Sequence, residues 1–266
     1  MNLSGRLQRI REFNRPARAE KQACGQQPRE EQTPVRKIGG AKTLPAPLAD
    51  SSFKEEGYFT LRRKLAVNLP VPLRARFPKT LAALAPALAD AGLTADDLIF
   101  FDLETTGLSG GAGTVAFLAA FGRFSGGNYG AIDVDQYLLL DHAGEEDFLR
   151  LIEPHFSPLS QDRPAVIVSY NGKSFDSQVI RSRFLFNGMP SPPIDRHADL
   201  LYAARCLWKR KLPSCSQSEI ERSVLGIDRG DDIPGSRAPD IWFSFLKTND
   251  AAELAGVCRH NLLDIA

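Results

Sequence analysis

Cysteine chemistry is nearly absent from this chain. Its four cysteines, Cys24, Cys206, Cys215 and Cys258, form no CxxC pair and no Cys/His zinc spacing. That excludes a disulfide framework and a zinc ribbon or finger, and leaves reduced structural thiols. No apolar run approaches the ~20 residues that a membrane span needs. The N-terminus MNLSGRLQRIREF also lacks the apolar core of a signal peptide, so a soluble cytoplasmic protein is expected. There is no internal repeat. The glycine-rich run SGGAGTV lacks the GK[ST] ending of a phosphate-binding loop and falls between strands instead of opening a helix, so it reads as a turn that lets a substrate approach.

What is present suffices for a globular core. The 266 residues are 43% hydrophobic and 24% charged, enough for one or two domains. The net charge of +1 conceals a split, since residues 1–95 hold 17 Lys+Arg against 8 Asp+Glu and the remainder holds 16 against 24. A basic head of +9 therefore precedes a body of −8, a division suited to a basic arm beside an acidic catalytic or metal-binding domain. Residues 1–50 are rich in Arg, Gln, Glu and Pro with few aromatics and are expected to be disordered. This leader could contact nucleic acid or simply keep the chain soluble.

Residues 51–95 read as a lead-in segment, in which FPKTLAALAPALADAGL suggests a short helix that Pro78 can start and Gly92 can end. From Leu98 the texture changes. LIFFDLE, TVAFLAAFGRF and AIDVDQYLLL are apolar runs separated by Gly, Ser and Asn clusters, and read as consecutive strands. The short connection SGGNYG favours antiparallel pairing of its neighbours. EEDFLRLIEPHF, with acids in its first turn, reads as a helix. AVIVSYN follows as a strand, and FDSQVIRSRFLFNG as a helix stopped by Gly188. Beyond the linker MPSPPID come HADLLYAARCLWKRKL, a less regular stretch containing ERSVLGIDRGDDIPG, a helix around PDIWFSFLKT, and a last helix AAELAGVCRHNLLDIA. The order is β-β-β-α-β-α with further helices after it.

Three segments concentrate the chemistry. In FFDLETTGL, Asp102 and Glu104 lie two apart on a strand, so both side chains share one face while Phe101 and Leu103 point to the other. Two carboxylates side by side in an apolar strand are costly unless a cation, typically a hard divalent ion, sits between them. A solvated strand face is the plain alternative. In VSYNGKSFDSQVI a strand runs into a helix near Asp176, which could serve catalysis or merely cap that helix; Asn171 and Lys173 are either turn residues or phosphate contacts. In CRHNLLDIA, His260 and Asp264 stand four apart and share a helix face, as a base beside a carboxylate or as an ordinary surface pair. His197 and Asp199 begin a strand-like segment where backbone would satisfy them, although they could line a cleft. The run KRK beside Trp208 could grip a nucleic-acid backbone or form a solvated loop.

Taken in order, FDLETTGL, YNGKSFD and HNLLD make residues 98–266 resemble the DEDD, or DnaQ-like, exonuclease group of the ribonuclease-H-like superfamily, and within it the YprB-like branch. HADLLYAARCLWKRKLP and DDIPG resemble that branch's intervening region. The resemblance implies a ribonuclease-H-like α/β fold over residues 96–266, with a mixed five-stranded sheet flanked by helices. It implies that Asp102, Glu104, Asp176 and Asp264 hold two divalent ions, Mg2+ or Mn2+, and that His260 is the general base. It implies hydrolysis of single-stranded DNA or RNA from the 3′ end by a two-metal mechanism. The third motif departs from the group's pattern. Members with histidine place it five residues before the last aspartate, where this chain has Arg259, and the four-residue spacing of His260 is normally occupied by tyrosine. A catalytically inactive nucleic-acid-binding module, a structure-selective endonuclease and a protein-interaction scaffold remain as rivals, although the intact acids count against the first.

Overall fold

The computed structural model describes residue 48 and residues 52–69, 85–89, 93–107, 113–125, 128–157 and 165–266. The leader expected over residues 1–50 lies almost wholly outside them, as does most of the helix expected over 77–93, of which a 3-10 turn at Pro86–Leu88 is described.

A seven-stranded mixed sheet organises the chain, in the order β1-β2-β5-β4-β3-β6-β7. Its strands are β1 (Lys54–Gly57), β2 (Thr60–Asn68), β3 (Leu98–Thr105), β4 (Ala116–Ser125), β5 (Asn128–Leu139), β6 (Val166–Ser169) and β7 (His197–Asp199). Strands β3, β4 and β5 form the expected antiparallel meander, while β6 and β7 run parallel to β3. The expectation of a mixed sheet flanked by helices holds, but five strands must be corrected to seven. The two extra strands come from KEEG and TLRRKLAVN, and β2 pairs along its whole length with β5.

The helices of the described residues connect and flank the strands. They are α1 (Glu145–Ile152), α2 (Asp176–Phe186), α3 (Leu200–Trp208), α4 (Gln217–Ile220), α5 (Ala238–Thr248) and α6 (Ala252–Ile265). The stretch read as irregular holds α4, a wide helical turn at Glu221–Leu225, a 3-10 turn at Gly235–Arg237 and otherwise loop. Gly188 ends α2 with a φ of +69°, a conformation that glycine adopts without steric cost.

Alternation along β3 decides which side chains meet which layer. Ile99, Phe101 and Leu103 enter the main core with Phe121, Phe148, Phe156, Ile180 and Trp242. Phe101 stacks on Phe121, its cross-strand neighbour, with ring centroids 5.2 Å apart. Each fully buried ring of this kind contributes about 1.5–3 kcal/mol. Ala120, Phe124, Ile132 and Val134 instead pack with Ile265 of α6. Gly122 permits that close approach, since a Cβ there would stand 2.7 Å from the Ile265 side chain. Helix α6 is thereby laid across β3 and β4, with HNLLD brought over the strand that carries Asp102 and Glu104. Among the described residues no helix is long and apolar enough to cross a membrane.

Candidate active site

Asp102, Glu104, Asp176, His260 and Asp264 all line one cleft. Their positions follow from the elements that carry them. Asp102 and Glu104 project from the C-terminal half of β3, Asp176 is the first residue of α2 just past the end of β6, and His260 and Asp264 sit one turn apart on α6. Ligand atoms of Glu104, His260 and Asp264 lie within 4.8 Å of one another. That trio alone could hold a metal ion, and the cleft sets Asp102 and Asp176 beside it.

Asp176 is not the helix cap. Phe175 holds that position, and no side chain caps α2. The turn that delivers Asp176 is held from below by Asp199, whose carboxylate accepts hydrogen bonds from the backbone N–H of Asn171 at 2.8 Å, of Lys173 at 3.1 Å and of Leu201 at 3.0 Å. Asn171 takes a φ of +68° in that turn. The neighbouring Gly172 has no room for a side chain, because a Cβ would lie 2.6 Å from Ser169 Oγ and 2.8 Å from Asp176 Oδ2. His197 lies between the hydroxyls of Ser169 and Ser177, at 2.7 and 3.0 Å. Burial lowers its pKa to about 4, so this imidazole is neutral at physiological pH. Backbone N–H groups satisfy Asp199, as the plainer reading has it, whereas His197 is held by two serine hydroxyls, and neither lines the cleft.

Electrostatically the cleft is under stress. Burial, reinforced by Asp264, Asp176 and Glu104, pushes the Asp102 carboxyl well above its ordinary range, against one favourable hydrogen bond from Asn261. Burial and then Asp264, Asp176 and Asp232 raise Glu104 to about 9. Burial, Asp199 and Asp264 raise Asp176 to about 7. Asp264 is raised by burial too, though His260 and Arg229 oppose the shift. Like charges confined in a dry site favour the protonated form unless a cation joins them.

Three residues without an assigned role complete the surroundings. Asn261, next to His260, donates from Nδ2 to Asp102 Oδ2 at 2.7 Å. Asp232 Oδ2 lies 2.7 Å from His260 Nδ1, and His260 Nε2 then faces Asp264 Oδ2 at 3.4 Å and Glu104 Oε1 at 4.0 Å. Arg229 meets Asp264 Oδ1 at 2.6 Å and Asp232 Oδ2 at 3.3 Å, and bonds both oxygens of Glu221. Although burial works against its charge, the Glu221 and Asp264 carboxylates hold the Arg229 pKa above its ordinary value. Asp232 and Asn261 lie in segments that the sequence singles out, DDIPG and HNLLD, but the sequence reading gives neither residue a role. The spacing question in the third motif has a geometric answer, since Arg259 is exposed and bonds the carbonyls of Asp231 and Arg229, while His260 turns into the cleft.

A family model described as the RNase H superfamily matches residues 99–266, the stretch that builds this cleft. The chain belongs to the RNase H superfamily. One relative within reach of that assignment is the uncharacterized protein YprB of Bacillus subtilis (strain 168), 36% identical over 186 residues, which are 69% of this chain and 43% of YprB. The chain thus spans less than half the length of that relative. Among solved structures, exonuclease I in complex with the inhibitor BCBP is 19% identical with a TM-score of 0.40, covering 60% of this chain and 42% of its own. E. coli exonuclease I in complex with a dT13 oligonucleotide is 18% identical with a TM-score of 0.38, covering 57% and 40%. For this RNase H superfamily member, the acids of β3, α2 and α6 therefore form the candidate active site.

Proposed function

We propose that this chain is a metal-dependent nuclease that hydrolyses phosphodiester bonds of single-stranded DNA or RNA, working from the 3′ end. The observation that carries the reading is the convergence of Asp102, Glu104, Asp176 and Asp264 with His260 in one cleft. The donor set fits a hard divalent cation, Mg2+ or Mn2+, because it consists of buried and half-buried carboxylate oxygens whose mutual repulsion such a cation relieves. The four acids would hold two such ions. When bound, they would neutralise the scissile phosphate and increase the acidity of the attacking water.

The remaining work falls to the chain's own groups. In the tautomer whose Nδ1 proton goes to Asp232, Nε2 of His260 faces the cleft as an acceptor for the proton of the attacking water. The water oxygen then bonds to phosphorus, the P–O3′ bond breaks, and the departing 3′ oxygen is protonated from solvent. Asp199 and Gly172 hold Asp176 in place throughout.

Incubation of 5′-labelled single strands of DNA and RNA with Mn2+ or Mg2+, comparing the native chain with Asp102→Ala, tests the proposal. A ladder shortened from the 3′ end by the native chain alone is expected. Strand binding without cleavage under either metal would replace the proposal with an inactive binding module, and a few internal cuts would replace it with an endonuclease.

A further inference from the structure

One row of cross-strand neighbours runs from β2 to the active site. Arg63 is paired with Gln136, Gln136 with Ala120, and Ala120 with Asp102, across four adjacent strands. Residues paired in register share a face of the sheet, so the row points as one toward α6. Gln136 and Asp102 are separated by two strand spacings, about 9–10 Å, too far for direct contact. Ala120 contributes only a methyl group between them, and Asn261 descends from α6 into that gap.

The contacts are continuous. Arg63 Nε donates to Gln136 Oε1 at 2.8 Å, Gln136 Nε2 donates to Asn261 Oδ1 at 2.7 Å and to the Cys258 carbonyl at 2.9 Å, and Asn261 Nδ2 donates to Asp102 Oδ2 at 2.7 Å. Gln136 and Asn261 are both 0% exposed. The chain of bonds has one possible direction. A guanidinium only donates and a carboxylate only accepts, so each amide between them is fixed in orientation. Reversing either amide would set two donors or two acceptors face to face in a buried site, which is unfavourable.

We propose that Arg63, Gln136 and Asn261 form a one-way hydrogen-bond relay that positions the Asp102 carboxylate for a divalent cation. Asn261 engages one carboxylate oxygen and leaves the other for the ion. The relay makes β2, which precedes the family-matched residues 99–266, part of the machinery of the site. The inference rests on the metal-dependent reading given above.

Calorimetric titration of the full chain with Mn2+, alongside thermal melting, is the test. Asn261→Ala is expected to weaken Mn2+ binding about 10–100-fold, the usual effect of removing a partner of a metal ligand. Gln136→Glu is the sharper variant. It keeps the shape and gives Arg63 a carboxylate, yet it cannot donate to Asn261, so the Asn261 amide turns over and presents its oxygen to Asp102. Weaker Mn2+ binding by the folded variant is therefore expected, together with a lower melting temperature because the new carboxylate also faces the Cys258 carbonyl, whereas a merely structural glutamine would lower the melting temperature and leave the affinity untouched. Should Asn261→Ala fail to fold, Gln136→Glu decides alone. Native Mn2+ affinity in the folded variants would overturn the relay while leaving the metal reading intact. Absence of Mn2+ binding by the native chain would overturn the metal reading, and the relay with it.

Discussion

Asp232 Oδ2 and His260 Nδ1 lie 2.7 Å apart, and this contact determines which ring nitrogen of His260 is available to the cleft. Donation of the Nδ1 proton to the carboxylate leaves Nε2 as the acceptor and fixes the ring plane. Asp232→Asn removes the charge and can offer an N–H in place of an acceptor, which disfavours that tautomer. A fall in kcat of about 10–100-fold with KM nearly unchanged is expected, against about 100–10,000-fold for His260→Ala. Steady-state kinetics on a labelled strand would check both, and equal activity of Asp232→Asn and the native chain would remove Asp232 from the mechanism.

Gly172 sets the placement of Asp176. Because a Cβ there would stand 2.8 Å from Asp176 Oδ2 and 2.6 Å from Ser169 Oγ, Gly172→Ala must move the carboxylate, the serine or the turn. Mn2+ affinity is expected to drop at least as far as for loss of a ligand's hydrogen-bond partner, about 10-fold or more. Far-ultraviolet circular dichroism should stay native. Undiminished Mn2+ binding by this variant would show that the turn yields elsewhere.

Strand β3, which carries Asp102 and Glu104, was legible because its signal is local. LIFFDLET alternates between the main core, which takes Ile99, Phe101 and Leu103, and the opposite face, which carries Leu98, Phe100, Asp102 and Glu104, and Gly188 marks a helix stop. Strand β2 was not legible for the opposite reason. Its centre is Arg62-Arg63-Lys64, and those charges are tolerated because Asp135 and Gln136, 73 residues further along, receive them. Asp232 reaches His260 from an aperiodic loop 28 residues away. Asn261 stood in plain view inside HNLLD, yet its role depends on a strand register that no local pattern encodes.

Arg183 of α2 and Glu145 of α1 form a buried two-point ion pair that joins the two helices on the core side of the sheet. Removing Glu145 takes the carboxylate from the buried Arg183 guanidinium, a loss of about 3–5 kcal/mol. Glu145→Ala should therefore lower the denaturation midpoint in urea markedly while Mn2+ affinity, measured on the folded protein, stays native. The double change Glu145→Leu with Arg183→Met should regain much of the stability. A Glu145→Ala protein as stable as the native chain would mean that water reaches Arg183.

The stressed acids make a signed prediction about pH. The fold raises Glu104 to about 9 and Asp176 to about 7, both well above the ordinary carboxylate range. Between those limits the folded chain holds protons that the unfolded chain has released. Their contribution to stability is complete below about pH 4 and is lost as the pH rises through the folded values. In chelator, the melting temperature should therefore decline from pH 6 to pH 9. A divalent cation binds the charged carboxylates and competes with those protons, so it stabilises the folded chain most at the alkaline end. Millimolar Mg2+ or Mn2+ should flatten or invert the slope. Scanning calorimetry across that range, with and without the ion, reads the effect directly. A melting temperature that rises with pH in chelator would mean that the cleft already neutralises its own charge, with Arg229 the first residue to examine.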